Sequence, residues 1–372
     1  MSADTTVTMI DLPQDYRARQ AEYDAATRAV IESGRFIFGA QVAELEAQLA
    51  ADVGVEHCVS CGNGTDAMLL ALQALGVGRD DEVITTPFTF YATAEVILAL
   101  GAVPVFVDID PETYNLDPAQ VAAACTPRTR AILAVSLYGQ LPDIAALEAI
   151  ASEHDIPLIE DAAQSYGATG PSGRSCGVGR VGTTSFFPTK PLGGWGDGGA
   201  LFTDDAQLAE TCRKLRHHGD AGRYQHELVG WNSRLDTLQA AVLQVKLAHF
   251  PEDLAARQQA AARYSEALAD VCAVPVVRPG NTSAWAQYTV RLSQRDAVVE
   301  RLRQAGIPVG IHYPMPIYRQ PAFVERGYGE LSLPEAERAG REVACLPIHP
   351  LITPTMQERV VAVLRDAIAD AS

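Results

Sequence analysis

A chain of 372 residues, 48% hydrophobic and 20% charged, has the length for two domains with a substantial core, and its composition excludes a disordered protein. A net charge of −17 with no basic tract to offset it argues against a nucleic-acid partner, while leaving room for a local basic pocket. The seven cysteines are an odd number in a long chain, which suits reduced thiols better than a disulfide framework.

The opening stretch MSADTTVTMIDLPQDYRARQ has neither the basic nor the apolar region of a signal peptide. The most apolar run, Val96–Val107, is short and interrupted by Gly101 and Pro104. A cytoplasmic protein with no membrane partner is the expectation.

From about Val53 to Thr203, short apolar runs alternate with helical patterns. HCVSC precedes the helical TDAMLLALQALG, and DEVITTP precedes YATAEVILALG; PVFVDID, AILAVSL and PLIED read as further buried strands. That alternation predicts an α/β fold of parallel βαβ units with both sheet faces covered. Cys58 and Cys61 form a CxxC, but no second ligand pair accompanies them, so they read as core thiols and no metal site is expected. GVGRVG, Gly177–Gly182, satisfies G-x-G-x-x-G yet precedes the strand-like TTSFF. Dinucleotide binding needs a helix to open there, so the match is a decoy.

A long helix is predicted from near Arg234 towards Val271, with a bend at Pro251. Beyond it come a strand in QYTVRL, a helix in RDAVVERLRQAG, a strand in IPVGIHYP and a final helix in TPTMQERVVAVLRDAIAD. This second layer predicts a large domain over residues 1–250, with a mostly parallel central sheet, and a smaller C-terminal α/β domain over 251–372.

Three segments carry chemistry. In CGNGTDAMLL a strand runs through a glycine turn into a helix, so backbone N–H groups near Gly64, with Thr65 and Asp66, form a candidate phosphate cradle. The bland alternative is an ordinary helix cap. In PLIEDAAQS, Asp161 ends a buried strand, where α/β sheets place ligands, and Gln164 follows one helical turn later. In SFFPTKPLGGWGDGGA, Ser185 offers a hydroxyl and Lys190 a primary amine beside glycines that admit close approach. Of 29 basic residues only Lys190, Lys214 and Lys246 are lysines. The latter two fall in helical, solvated contexts, whereas arginine cannot replace an amine that must lose its proton or form an imine. Cradle, buried carboxylate and loop lysine together point to pyridoxal phosphate (PLP), with Lys190 as the Schiff-base amine and Asp161 facing the pyridine nitrogen. Phe90, after the second strand, is the candidate cover for one ring face, and Gln164 for the other.

With these residues in place the chain resembles, over essentially its whole length, the PLP-dependent nucleotide-sugar aminotransferases of the DegT/StrS type. The motifs GNGTDA, EDAAQSYGA, SFFPTKPLGGWGDGGA, NSRLDTLQAA and HYPMPIY occur in the family's order. The resemblance implies the type I PLP-transferase fold, catalysis by Lys190 and Asp161, and a cofactor shell of Gly64, Thr65, Asp66, Phe90, Gln164, Ser185 and Asn232. Asn232 would reach the phosphate of a neighbouring subunit, so a homodimer with shared active sites is implied.

DPETYNLDP, VSLYGQ, AQYTVR and HYPMPIYRQPA are similar to the pattern of family members that aminate UDP-2-acetamido-2-deoxy-3-oxo-glucuronate, with glutamate as donor. In that pattern Gly34, Phe36, Thr189, Arg234, His312 and Tyr313 match substrate-contacting positions. Two departures stand out: Phe36 replaces an expected tyrosine and Thr189 a usual serine. Open alternatives are another 3- or 4-keto nucleotide sugar and a non-catalytic PLP-binding regulator. A sugar dehydratase of the same family would carry histidine in place of Lys190.

Overall fold

Nine short strands from the N-terminal two thirds organise the computed structural model, which describes residues 6–371. In chain order they are β1 (His57–Cys61), β2 (Glu82–Thr85), β3 (Val103–Phe106), β4 (Thr129–Val135), β5 (Leu158–Asp161), a small hairpin of β6 (Thr169–Gly170) and β7 (Gly173–Arg174), then β8 (Val181–Ser185) and β9 (Gly199–Thr203). All but the hairpin form one seven-stranded sheet in the order β1-β9-β8-β5-β4-β2-β3. β2 pairs parallel with β3 and β4, β4 with β5, and β5 with β8. Val83, Ile84, Ile132, Leu133 and Ile159 are wholly buried, as expected of strands covered on both faces.

The sheet is mostly parallel as expected, and the exception is β9, which runs antiparallel to both β8 and β1. No helix separates β8 from β9. The proline- and glycine-rich loop 186–198 turns the chain straight back, and a direct return of that kind makes an antiparallel neighbour. Lys190 therefore sits in the connection between two paired strands.

Helices cover the sheet, and several begin at a short polar side chain that caps them. Asn63 accepts the Asp66 N–H at 2.8 Å for helix Gly64–Ala74, and Asp143 accepts the Ala146 N–H at 3.2 Å for helix Ile144–Glu153. Cys58 and Cys61, three apart on β1, join different core clusters. The seven cysteines are all free.

The long helix spans Thr237–Leu268 without interruption at Pro251. It starts three residues later than its sequence suggests, because residues 234–236 are extended: Asp236 bridges Ile37, and the Thr237 N–H donates to Phe36 O at 2.9 Å. Its first half packs Ala240, Leu243 and Phe250 onto the large sheet's core. Its second half packs Ala260, Tyr264 and Leu268 against a C-terminal layer. That layer pairs β10 (Tyr288–Arg291) with β11 (Val343–Leu346), backed by helices Arg295–Gln304 and Pro354–Ala371. The strand expected in IPVGIHYP is reduced to one bridge, Gly310 to Cys345. Pro308 and Pro314 cannot donate to a ladder, and the four-residue β11 takes the pairing instead.

Candidate active site

β1, β2, β4, β5 and β8 all run in one direction, so Cys61, Thr85, Val135, Asp161 and Ser185 end at a common edge, and β9 starts there at Gly199. The candidate residues of the three sequence segments thus converge at the carboxyl ends of the strands.

Asp161 is 5% exposed. Its Oδ2 accepts from Thr93 Oγ1 at 2.9 Å and its Oδ1 from the Ala163 N–H at 3.1 Å. Burial pushes its carboxyl above the usual range, against the pull of those two donors and of the Lys190 charge. Lys190 is held by a tight loop: its N–H bonds Phe187 O at 2.9 Å, and the Gly194 N–H bonds Phe186 O at 2.7 Å. The residue is half-buried, but its amine is desolvated, which lowers its pKa while Asp161 partly restores it. The buried carboxylate and the desolvated amine thus feel each other's charge.

The ring-face candidates come from both layers. Gln164 accepts the Tyr138 N–H through Oε1 at 2.8 Å and donates from Nε2 to Tyr313 Oη at 3.2 Å. The Tyr138 hydroxyl donates to His312 O. Burial, and then Asp161, raises the Tyr313 phenol; burial, and then Lys190, lowers His312. Phe90 is 57% exposed, with its ring centroid 6.4 Å from that of Tyr313. Lys190, Asp161, Gln164, Phe90, His312 and Tyr313 are one group.

The cradle forms a second group. Gly64 is packed so closely on β8 that an added Cβ would lie 2.7 Å from Ser185 Cβ. The Asp66 and Ala67 N–H groups bond Asn63, whereas those of Gly64 and Thr65 have no protein acceptor among the described residues. The Asp66 carboxylate accepts from Ser233 Oγ at 2.7 Å, and Ser233 Oγ accepts the Gly62 N–H at 3.1 Å, which steadies the turn.

The third group lies apart. Gly34 ends helix Gln20–Ser33 at φ 65°, Phe36 is 46% exposed, and Arg234 Nη1 lies 3.4 Å from His217 Nδ1. Asn232 is exposed in the same extended segment. Among the described residues, no hydrogen bond, ion pair or ring contact joins Gly34, Phe36, Asn232 or Arg234 to Lys190. Thr189 is exposed beside Lys190 and also lines a cleft with Arg257 and His349. Thr93 and Tyr138 escaped the sequence reading. Thr93 has a weak signal, a β-branched polar residue inside the apolar helix Ala92–Ala99; Tyr138 has none until its contact with His312 is seen.

The family profile named "DegT/DnrJ/EryC1/StrS aminotransferase family" matches residues 17–365. The chain belongs to that family. It is similar to the UDP-2-acetamido-2-deoxy-3-oxo-D-glucuronate aminotransferase of Pseudomonas aeruginosa, at 50% identity over 93% of this chain and 96% of the relative. It is also similar, at 47% identity over 95% of this chain and 96% of the relative, to a protein of Geobacillus stearothermophilus named pleiotropic regulatory protein. Among solved structures, S. venezuelae DesV in complex with a ketimine intermediate matches with TM-score 0.95 and 40% identity, over 97% of this chain and 98% of that one.

Family membership makes this chain a PLP-dependent aminotransferase of the type I fold. The donor set fits that cofactor. A buried carboxylate with two protein donors among the described residues has room for a protonated ring nitrogen, the Lys190 amine interacts with it through charge, and the Gly64 and Thr65 N–H groups lie at a helix start packed on Ser185. No helix among the described residues is long and apolar enough to cross a membrane.

Proposed function

We propose that this chain transfers an amino group from glutamate to C3 of UDP-2-acetamido-2-deoxy-3-oxo-glucuronate, in the biosynthesis of a surface-polysaccharide sugar. The observation that carries the reading is the 50% identity, across 93% of the chain, to an aminotransferase named for that substrate. We further propose a cytoplasmic homodimer with shared active sites, in which Asn232 serves the neighbouring subunit, and a two-domain division at 250/251, within the long helix.

Gly64, Thr65 and Ser185 would hold the phosphate, and Phe90 and Gln164 would hold the ring. Bound PLP supplies the carbonyl that carries the amino group and the electron sink that makes the adjacent carbon acidic. Asp161 would face the ring nitrogen, whose cationic N–H would offset the burial that otherwise raises its pKa. The Lys190 amine, desolvated and therefore a base nearer neutral pH, would take and hold the proton of the donor's α-carbon. His312, Tyr313 and Thr189 contact the substrate in this reading, His312 within reach of the Lys190 charge and Thr189 next to Lys190 in sequence. Gly34, Phe36 and Arg234 meet the nucleotide sugar, with Arg234 facing its anionic part.

The test is the visible absorption of the purified protein before and after glutamate, followed by mass spectrometry of the product formed from the keto sugar. Bleaching by glutamate, recovery on adding the 3-keto uronate and a 3-amino product support the reading. Recovery only with a different keto sugar reassigns the substrate. Retained cofactor that responds to no donor favours a regulator, the role in the name of the Geobacillus relative.

A further inference from the structure

We infer that His217 is a positioning residue for substrate recognition, its imidazole aiming the Arg234 guanidinium at an anionic group of the nucleotide sugar. This rests on the reading above, in which Arg234 meets that sugar. Arg234 has no carboxylate partner among the described residues; its Nη1 faces His217 Nδ1 at 3.4 Å. A cation so placed, half-buried and held by a neutral acceptor, keeps its charge available for a ligand.

His217 is itself held on several sides. Its backbone bridges Asn232, two residues before Arg234, and its N–H donates to Lys214 O at 3.0 Å. The Phe38 ring packs against its imidazole at 5.2 Å between centroids and 81° between planes. The Arg216 guanidinium sits 5.3 Å from the Phe38 centroid. Arg216 is in turn 7% exposed, donates to Ser60 O at 2.6 Å and pairs with Glu46 at 2.5 Å. Asp220 Oδ2 lies 3.8 Å from His217 Nε2. That carboxylate favours the tautomer protonated at Nε2 and leaves the Nδ1 lone pair for Arg234. Burial, and then Arg234, lowers the His217 pKa, so the ring stays a neutral acceptor. The same segment brings up Phe36, whose carbonyl accepts the Thr237 N–H at 2.9 Å.

The anionic group is either the sugar carboxylate or the diphosphate, and kinetics separate them. His217→Phe keeps a ring against Phe38 but cannot accept, while His217→Gln restores an acceptor oxygen. Full-length variants are assayed with the 3-keto uronate and with its counterpart uncharged at C6. We expect His217→Phe to raise KM for the keto sugar about tenfold with kcat within about twofold, and His217→Gln to recover most of the loss. A penalty confined to the uronate assigns the carboxylate; an equal penalty on both assigns the diphosphate. Adding His217→Phe to Arg234→Gln should cost no more than Arg234→Gln alone, since one acts through the other. A normal KM in His217→Phe beside a raised KM in Arg234→Gln overturns the inference. No effect of Arg234→Gln on either substrate removes instead the role of Arg234 on which it rests.

Discussion

Thr93 Oγ1 donates to Asp161 Oδ2 at 2.9 Å, so a helix packed on the sheet supplies a buried carboxylate at the end of β5 with one of its two donors among the described residues. Thr93→Val keeps the shape and removes that donor. A buried hydrogen bond to a charged group is worth about 1.5–3 kcal/mol. The glutamate-driven absorbance change should therefore slow by roughly ten- to a hundredfold in stopped-flow measurements. An unchanged rate would show that Asp161 does not depend on Thr93.

Gly64 and Ser185 touch across the helix–strand contact, and a Cβ on residue 64 would lie 2.7 Å from Ser185 Cβ and 3.2 Å from its Cα. Gly64→Ala must shift either the first turn or β8, both of which supply the proposed phosphate cradle. Cofactor affinity, followed by fluorescence titration of the apoprotein, should fall by at least about tenfold, the cost of roughly one displaced hydrogen bond. Equal affinity in the variant would remove this cradle from phosphate binding.

The Tyr138 hydroxyl ties the large sheet to the loop of His312 and Tyr313, while its N–H orients Gln164. Tyr138→Phe cuts only the first link. We expect KM for the keto sugar to rise about three- to tenfold, with the glutamate half-reaction nearly unchanged, since one hydrogen bond contributes about 1 kcal/mol. Steady-state kinetics in each substrate separately reads the split.

His349 is 2% exposed, and burial followed by the Arg257 charge lowers its pKa from 6.5 to about 4. The unfolded chain protonates this side chain at a higher pH than the folded protein does. Its contribution to stability is thus fully present above pH 6.5 and is lost as pH falls towards about 4, at up to about 1.4 kcal/mol per pH unit. Thermal unfolding across that window should show a shallower pH slope in His349→Leu than in the parent protein. Parallel slopes would remove His349 from the acid response.

The candidate site was legible where neighbours in sequence carry it. Gly64, Thr65 and Asp66 follow a strand and open a helix, Asp161 and Gln164 lie one turn apart, and Ser185 and Lys190 share one loop. Local pattern suffices there, because strand ends and helix starts are decided by residues within a few positions of each other. Composition singled out Lys190, since the chain uses arginine for nearly every other positive charge. The alternation of apolar strands and helices likewise announced an α/β fold.

Only the tertiary structure decided which strands pair and which distant side chains meet. β9 turned antiparallel because a loop, not a helix, returns it. IPVGIHYP gave up its ladder to the brief run VACL, whose four residues carry too little periodicity to be read as a strand. Thr93 reaching Asp161, Tyr138 reaching His312 and His217 facing Arg234 involve residues with unremarkable local patterns. Their partners are chosen by sheet order and helix packing, long-range terms that periodicity along the chain does not encode.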